Sequence, residues 1–162
     1  MLVEGNFFRF AQKVFLIKVR KIMESKGYEQ LIVWQKAMDL TVEIYRLTKM
    51  LPKEELYAIT NQMRRAAISI PSNIAEGQSR KSPKEFIQFL NIAKGSNAEL
   101  FTQLLICERV GYISSSNLIQ IKELSREIGR MLSTLISRIE SSKQIDFRAP
   151  GEKIFLQLAT SN

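Results

Sequence analysis

Apolar residues recur in steps of three and four along most of the chain, the period of a helix with one buried face. The first clear run is Leu31, Trp34, Ala37, Met38, Thr41, Ile44, Tyr45, Thr48 and Leu51, with Gln35, Lys36, Asp39, Glu43, Arg46 and Lys49 opposite it. It predicts a helix that stops at Leu51-Pro52, where Pro52 can open the next helix. The second run is Leu56, Ile59, Met63, Ala66, Ile70 and Ile74. Pro71 falls inside it, lacks an amide donor and clashes with the preceding turn, so a kink is expected near 67–70. Gly77 is the expected left-handed terminator.

Ser82-Pro83-Lys84-Glu85 is the sharpest helix start in the chain, with Ser82 capping, Pro83 in the first turn and Glu85 reaching back to the cap amide. The third run buries Phe86, Phe89, Leu90, Ala93, Leu100, Leu104 and Cys107, and Gly111 closes it. Gly95-Ser96-Asn97 is a polar interruption that implies a close backbone approach or a kink. Ser114 to Asn117 offers caps for a fourth run of Ile121, Leu124, Ile128, Met131, Leu132, Leu135, Ile136 and Ile139. Short connections make neighbouring helices antiparallel. The fold class is therefore all-α, an antiparallel up-down-up-down four-helix bundle over residues 27–142, with a basic N-terminal extension (1–26) and a short C-terminal tail (143–162). A third-turn centre near residue 113 places Asn97 beside Ile128 and Gly129, and Leu90 beside Leu135 and Ile136.

Composition narrows the chemistry. Gly 7 and Pro 4 in 162 residues suit few, long elements. With His 0 and Cys 1, histidine-based acid–base catalysis, a Cys–His dyad, the usual zinc ligand sets and an internal disulfide are all excluded. A lone cysteine suits a reducing compartment, so a cytoplasmic location is expected. Lys+Arg 24 against Asp+Glu 16 gives +8, which favours polyanionic partners. Residues 1–26 hold six Lys/Arg against two Asp/Glu, so half of the excess sits there. Their apolar runs are too short and too charged for a membrane span. Phe8, Ala11, Phe15, Lys18 and Ile22 allow a basic amphipathic helix. The segment reads as a surface-binding arm, as a piece lying on the body, or as sequence upstream of a natural start at Met23.

Gln62 to Gly77, reading QMRRAAISIPSNIAEG, resembles the signature of the 23S ribosomal RNA intervening-sequence proteins, a four-helix-bundle family. Tyr28 to Lys36, Leu51 to Tyr57, Phe89 to Ser96, Glu99-Leu100 and Gly111 to Ile113 resemble it too, and the resemblance spans about residues 27–142. The accessory variability determinant of diversity-generating retroelements is similar. The resemblance implies a bundle with no established enzymatic activity and, through that determinant, a basic homopentamer that binds nucleic acid.

Candidate nucleic-acid-binding residues are Arg64, Arg80, Lys81 and Lys84. A guanidinium fork suits paired phosphate oxygens, and the 80–84 cations sit at a helix N-terminus. The competing readings are intramolecular pairing, expected for Arg65 near Lys94 and Glu99, and plain solvation of loop charge. Ser69, Ser72 and Asn73 lack a catalytic base and are expected to satisfy backbone groups near Pro71. Cys107 is an inert core residue. Val33, Leu40 and Leu47 recur every seven residues beside the first stripe, which argues for burial against another subunit or against the N-terminal segment, and they are expected at an oligomer interface. No catalytic residue, metal site, cofactor, membrane or small-molecule substrate is expected. The expected function is non-catalytic binding of nucleic acid, RNA foremost, by a homo-oligomer with a pentamer as the first guess. The alternative is a protein-interaction scaffold or accessory subunit.

Overall fold

The structure, a computed structural model, describes residues 27–147. The basic extension (1–26) and the tail beyond 147 lie outside the described residues. Four helices account for the fold: α1 (Ile32–Leu47), α2 (Ile59–Ser79), α3 (Pro83–Val110) and α4 (Ser115–Phe147). There is no strand among the described residues. Each helix packs on the one before it, and α1 closes the ring against α4. Cross-helix contacts run in opposite directions at each step. Thr41 meets Ala67 while Thr48 meets Arg64; Met63 meets Cys107 while Ser69 meets Ser96; Asn97 meets Ser125 while Glu108 meets Lys122. The helices therefore alternate in direction. Asn97 also lies against Gly129, where an added Cβ would sit 3.3 Å from its Nδ2.

The core is the set of stripes facing the bundle axis. Leu40, Ile44, Met63, Ile70, Ile74, Phe86, Leu90, Leu100, Leu104, Leu118, Ile128 and Leu132 are its largest fully buried side chains. Each contributes roughly 1.5–3 kcal/mol relative to exposure. On α1 the buried stripe is Val33, Ala37, Leu40, Ile44 and Leu47. The stripe expected from the sequence is rotated from this, and Met38 and Tyr45 are 39% and 40% exposed. Both stripes have helical spacing. Packing selects the aliphatic one, because Met38 and Tyr45 keep favourable contacts when half in water, whereas Leu40 and Ile44 do not.

Pro52 does not open a helix. Residues 53–57 form a 3-10 turn, Ala58 (φ −106°, ψ −111°) breaks the helical path, and α2 starts at Ile59. Leu56 is accordingly 45% exposed. α2 runs unbroken through Pro71 to Ser79. Proline at 71 leaves the Ala67 carbonyl without its usual donor. Thr41 of α1 supplies one: its Oγ1 donates to Ala67 O at 3.0 Å as well as to Ala37 O at 2.8 Å. Gly77 is not a terminator. It is buried within α2, and a Cβ there would meet Phe89 Cβ at 2.6 Å and Phe86 Cδ2 at 2.9 Å. Its role is close approach of α2 to α3.

Pro83 occupies the first turn of α3 as expected, but the Ser82 side chain makes no capping hydrogen bond; only its carbonyl engages, accepting from Phe86 N at 3.0 Å. Gly111 (φ +84°) ends α3 in the left-handed region, with Tyr112 N bonded to Cys107 O at 2.9 Å. Gly95 has nothing near it, so neither close approach nor burial explains it.

Candidate nucleic-acid interface

The four predicted cations separate into two places. Arg64 is half-buried between α1 and α2, where its Nε donates to Thr48 Oγ1 at 2.9 Å and its guanidinium lies 5.1 Å from the Tyr45 ring centroid. It is an interhelical strut. Arg80 stands sixteen residues further on, roughly 24 Å along α2 at 1.5 Å per residue. It pairs with Glu76 one turn back and lies over the Phe89 ring, 5.1 Å from its centroid. Lys81 and Lys84 are exposed and form no ion pair among the described residues. Arg65, expected to pair internally, is exposed and likewise unpaired among them. The two adjacent arginines have exchanged roles, because residue 64 points toward α1 and residue 65 away from the bundle.

Val33, Leu40 and Leu47 are 5%, 0% and 5% exposed, so they belong to the core of a single chain and cannot form a contact with a second one. Met38, Val42 and Tyr45, which share one side of α1 by their spacing, are exposed instead, as is Ile68 of α2, and Tyr45 lies against Arg64. Spacing of 38, 42 and 45 carries this signal, but the periodicity leaves open which of two stripes on α1 turns outward.

The expected serine cluster is part of a buried polar layer across the middle of the bundle. Ser69 Oγ and Ser96 Oγ are 2.8 Å apart, and Asn73 Nδ2 donates to Ser69 Oγ at 2.9 Å. Asn97 Nδ2 donates to Ser125 O at 3.0 Å, and Ser125 Oγ donates back to Asn97 Oδ1 at 3.0 Å. Ser72 is exposed and outside the layer. These groups satisfy one another, and none faces a basic partner that could activate a hydroxyl. Asn97 and Ser125 fall at helical spacing on otherwise apolar stripes, the signal by which the layer could have been found.

Cys107 is buried against Met63, and burial, followed by the nearby Glu55 charge, pushes its thiol pKa up. It is poorly suited to nucleophilic or ligand chemistry. No three His, Cys, Asp or Glu side chains converge on a metal-sized site among the described residues. Lys122 Nζ bridges both carboxylate oxygens of Glu108 at 2.8 Å, and these bonds, with one from Ser115, hold the Glu108 carboxyl below its usual range. Arg130, with Arg126, does the same for Glu123. Tyr112 donates to Glu55 at 2.8 Å, which pushes its phenol pKa up and ties the α1–α2 connection to the α3–α4 turn. Between the start of α1 and α4 lies an open groove of about 470 Å³, lined by Leu31, Ile32, Val33, Met131 and Leu135 with Arg130 and Arg138 among its polar walls. No helix among the described residues is long and apolar enough to cross a membrane.

Alternating helices, an apolar core crossed by a hydrogen-bonded polar layer, and a basic α2–α3 turn define a small all-α bundle. The chain belongs to the 23S rRNA-intervening sequence protein family, whose model matches residues 29–134. It is similar to a solved protein of unknown function from the S23 ribosomal protein family of Bacteroides thetaiotaomicron VPI-5482. The two share 30% identity with a TM-score of 0.61, over 65% of this chain and 98% of that one. No curated protein matches the chain.

Proposed function

We propose that the protein is a non-catalytic, cytoplasmic, homo-oligomeric bundle that binds nucleic acid, RNA foremost, through electrostatic contact with phosphates and little sequence preference. The observation that carries this reading is the net charge of +8 together with the unpaired, exposed lysines of the α2–α3 turn. Phosphate contacts of this kind confer affinity without reading bases. In this reading Lys81 and Lys84 are available as they stand, Arg80 only by exchanging Glu76 for phosphate, and Arg64 is engaged between α1 and α2. Self-association is favoured by the exposed face of Met38, Val42, Tyr45 and Ile68, and the number five rests on the resemblance alone. Repetition of one weak patch in a ring would raise avidity without new contacts.

A mobility-shift titration of the full chain against single-stranded RNA at several salt concentrations tests the reading. Affinity should fall steeply with salt, by about 0.7 in the log–log slope for each phosphate neutralised on a single strand. Changing Lys81 and Lys84 to Gln should flatten it while leaving the melting temperature nearly unchanged. No salt-dependent binding would favour the second reading, a protein-interaction scaffold, for which the same exposed apolar face is the specific support. Light scattering that returns a monomer mass at micromolar concentration would end the oligomer proposal.

A further inference from the structure

Two sides of the bundle are complementary in charge. The first lies along α1 and α2. Thr41 of α1 reaches Ala67 of α2, and Met38 and Tyr45 share the side of Thr41 by their spacing. Both are partly exposed, with Val42 beside them. On α2, Arg64 faces α1, where it bonds Thr48, and Ile68 stands one turn along the same side, 43% exposed. Arg65 is exposed at the outer edge and makes no ion pair among the described residues. The rows that build this side, 34, 38, 41, 42 and 45 of α1 and 61, 64, 65, 68, 72 and 75 of α2, hold two arginines and no carboxylate. Asp39 and Glu43 lie further round α1 and are balanced there by Arg46 and Lys49, Arg46 pairing with Glu43. Glu76, further along α2, is paired with Arg80.

The outer side of α3 is the reverse. Ser96 faces Ser69 of α2, and Ile92 and Glu99 flank it at i−4 and i+3. They belong to one exposed stripe of Glu85, Gln88, Ile92, Glu99, Ile106 and Val110. Ile92, Ile106 and Val110 are large apolar side chains left 45%, 44% and 56% exposed. Between 85 and 108 the sole cation is Lys94, five residues from Glu99 and so about 140° round the helix from it. Lys84 and Arg109 lie just beyond the two ends of that stretch. Glu99 accepts from Gln103 and makes no ion pair among the described residues. Gly95 sits in the middle of the stripe, exposed, with nothing within 4 Å of where its Cβ would be. A glycine weakens a helix interior, and nothing within the single chain calls for this one.

The two sides also agree in level. Ser69 and Ser96 meet at 2.8 Å, which sets α2 against α3. Arg65 is four residues before Ser69 and Glu99 three after Ser96, so in antiparallel helices both lie to the same side of that contact, by roughly 6 and 4.5 Å. By the same count, through Thr41 and Ala67, Gly95 is within roughly 3 Å of the level of Met38 and Ile68. Rotation about an axis parallel to the bundle leaves every level unchanged. It sets Arg65 of one copy against Glu99 of the next, and the apolar side chains around Ile68 against the recess at Gly95.

We infer that the α1–α2 side of one copy docks on the outer side of α3 of a second copy, with Arg65 of one paired to Glu99 of the other and Gly95 left bare to admit the neighbour's apolar side chains. This rests on the proposed self-association and adds which surfaces meet. The two surfaces differ, so the contact is heterologous, each copy offering one surface to each neighbour. A second copy is favoured over a foreign partner because this chain itself carries both halves, opposite in charge and matched in level.

The test is sedimentation velocity of the full chain over about 1–100 μM. Arg65→Glu and Glu99→Arg each set like charges across the contact and should raise the midpoint concentration of assembly by about tenfold or more. One variant is then negative on both surfaces and the other positive on both, so an equal mixture of the two should assemble again near the unmodified midpoint. A pair formed within one chain would not be restored by mixing, and a mixture that stays monomeric overturns the proposal. Gly95→Leu should also weaken assembly, whereas Lys94→Glu, on the other side of α3, should leave it unchanged. An unmodified chain that assembles with the same midpoint in both charge variants shows that other surfaces meet, while self-association stands. A chain that is monomeric throughout the range fails the self-association reading first, before any variant is made. Circular dichroism checks folding. If the charge variants do not fold, Gly95→Leu against Lys94→Glu decides the outcome, because leucine is the better helix former and lost assembly there cannot come from a weakened α3.

Discussion

The hydroxyl of Thr41 is a small group with a calculable task. Proline 71 cannot donate to Ala67 O, Ala67 is fully buried, and the Thr41 proton is shared between that carbonyl and Ala37 O. Thr41→Val keeps the shape and removes the proton. A buried acceptor left without a partner costs about 1–3 kcal/mol. Sharing with Ala37 O and the added methyl both reduce the loss, so about 1–2 kcal/mol is expected here. Pro71→Ala restores an amide that can donate along the helix to Ala67 O, so in that background Thr41→Val should cost less than about 0.5 kcal/mol. Urea unfolding of the four proteins of the cycle reads the coupling directly as differences in ΔG, provided the m-values agree. Equal costs of Thr41→Val in both backgrounds would show that the threonine does not replace the missing amide, and the account of how α2 tolerates Pro71 would be wrong.

Gly77→Ala should destabilise by about 1–3 kcal/mol, because its Cβ would press on the Phe89 and Phe86 side chains at 2.6 and 2.9 Å, whereas Gly95→Ala, with open space around it, should stabilise by up to ~1 kcal/mol; thermal melts of the pair check both. Leu40→Glu should abolish cooperative unfolding rather than release monomers, since it puts a charge at a fully buried site; circular dichroism with light scattering separates the two results. The Glu108 carboxyl titrates below its unfolded value, so its bridge to Lys122 adds stability above the unfolded pKa of about 4.3 and loses it as pH falls through the folded pKa. The gap in urea midpoint between the wild type and Lys122→Met should therefore be present at neutral pH and close in acid; a gap that persists or grows in acid would contradict the assignment.

The parts of the fold legible in the sequence are those where one signal stands alone. Pro83 and Gly111 bound α3 as read, and the register between α3 and α4 follows from the short connection between them. Periodicity misleads where two solutions share it. On α1 two apolar stripes compete, and the choice depends on what the neighbouring helices present, so the spacing of Val33, Leu40 and Leu47 points to an interface although they are core. Gly77 has two standard uses, and only the position of Phe86 and Phe89 in space tells close approach from termination. For Arg64 and Arg65, adjacent positions lie about 100° apart on a helix, enough to send one into the α1–α2 seam and the other into water. Candidate site residues are legible as residue types at a turn. Which of them already have partners is not, because an ion pair such as Arg80–Glu76 competes with ligand for the same cation.

The polar layer at Ser69, Asn73, Ser96, Asn97 and Ser125 has a consequence for how this protein can move. Sliding a helix by one turn past its neighbour would set hydroxyl and amide groups against leucine and isoleucine, and each orphaned group costs about 1–3 kcal/mol. A bundle held in register at its waist is a poor ratchet: sliding α2, α3 and α4 past one another is not an available way to carry a signal from one end of the bundle to the other. A response to a ligand is then expected in the turns and the last helical turns, or as movement of the bundle as one rigid rod against another copy.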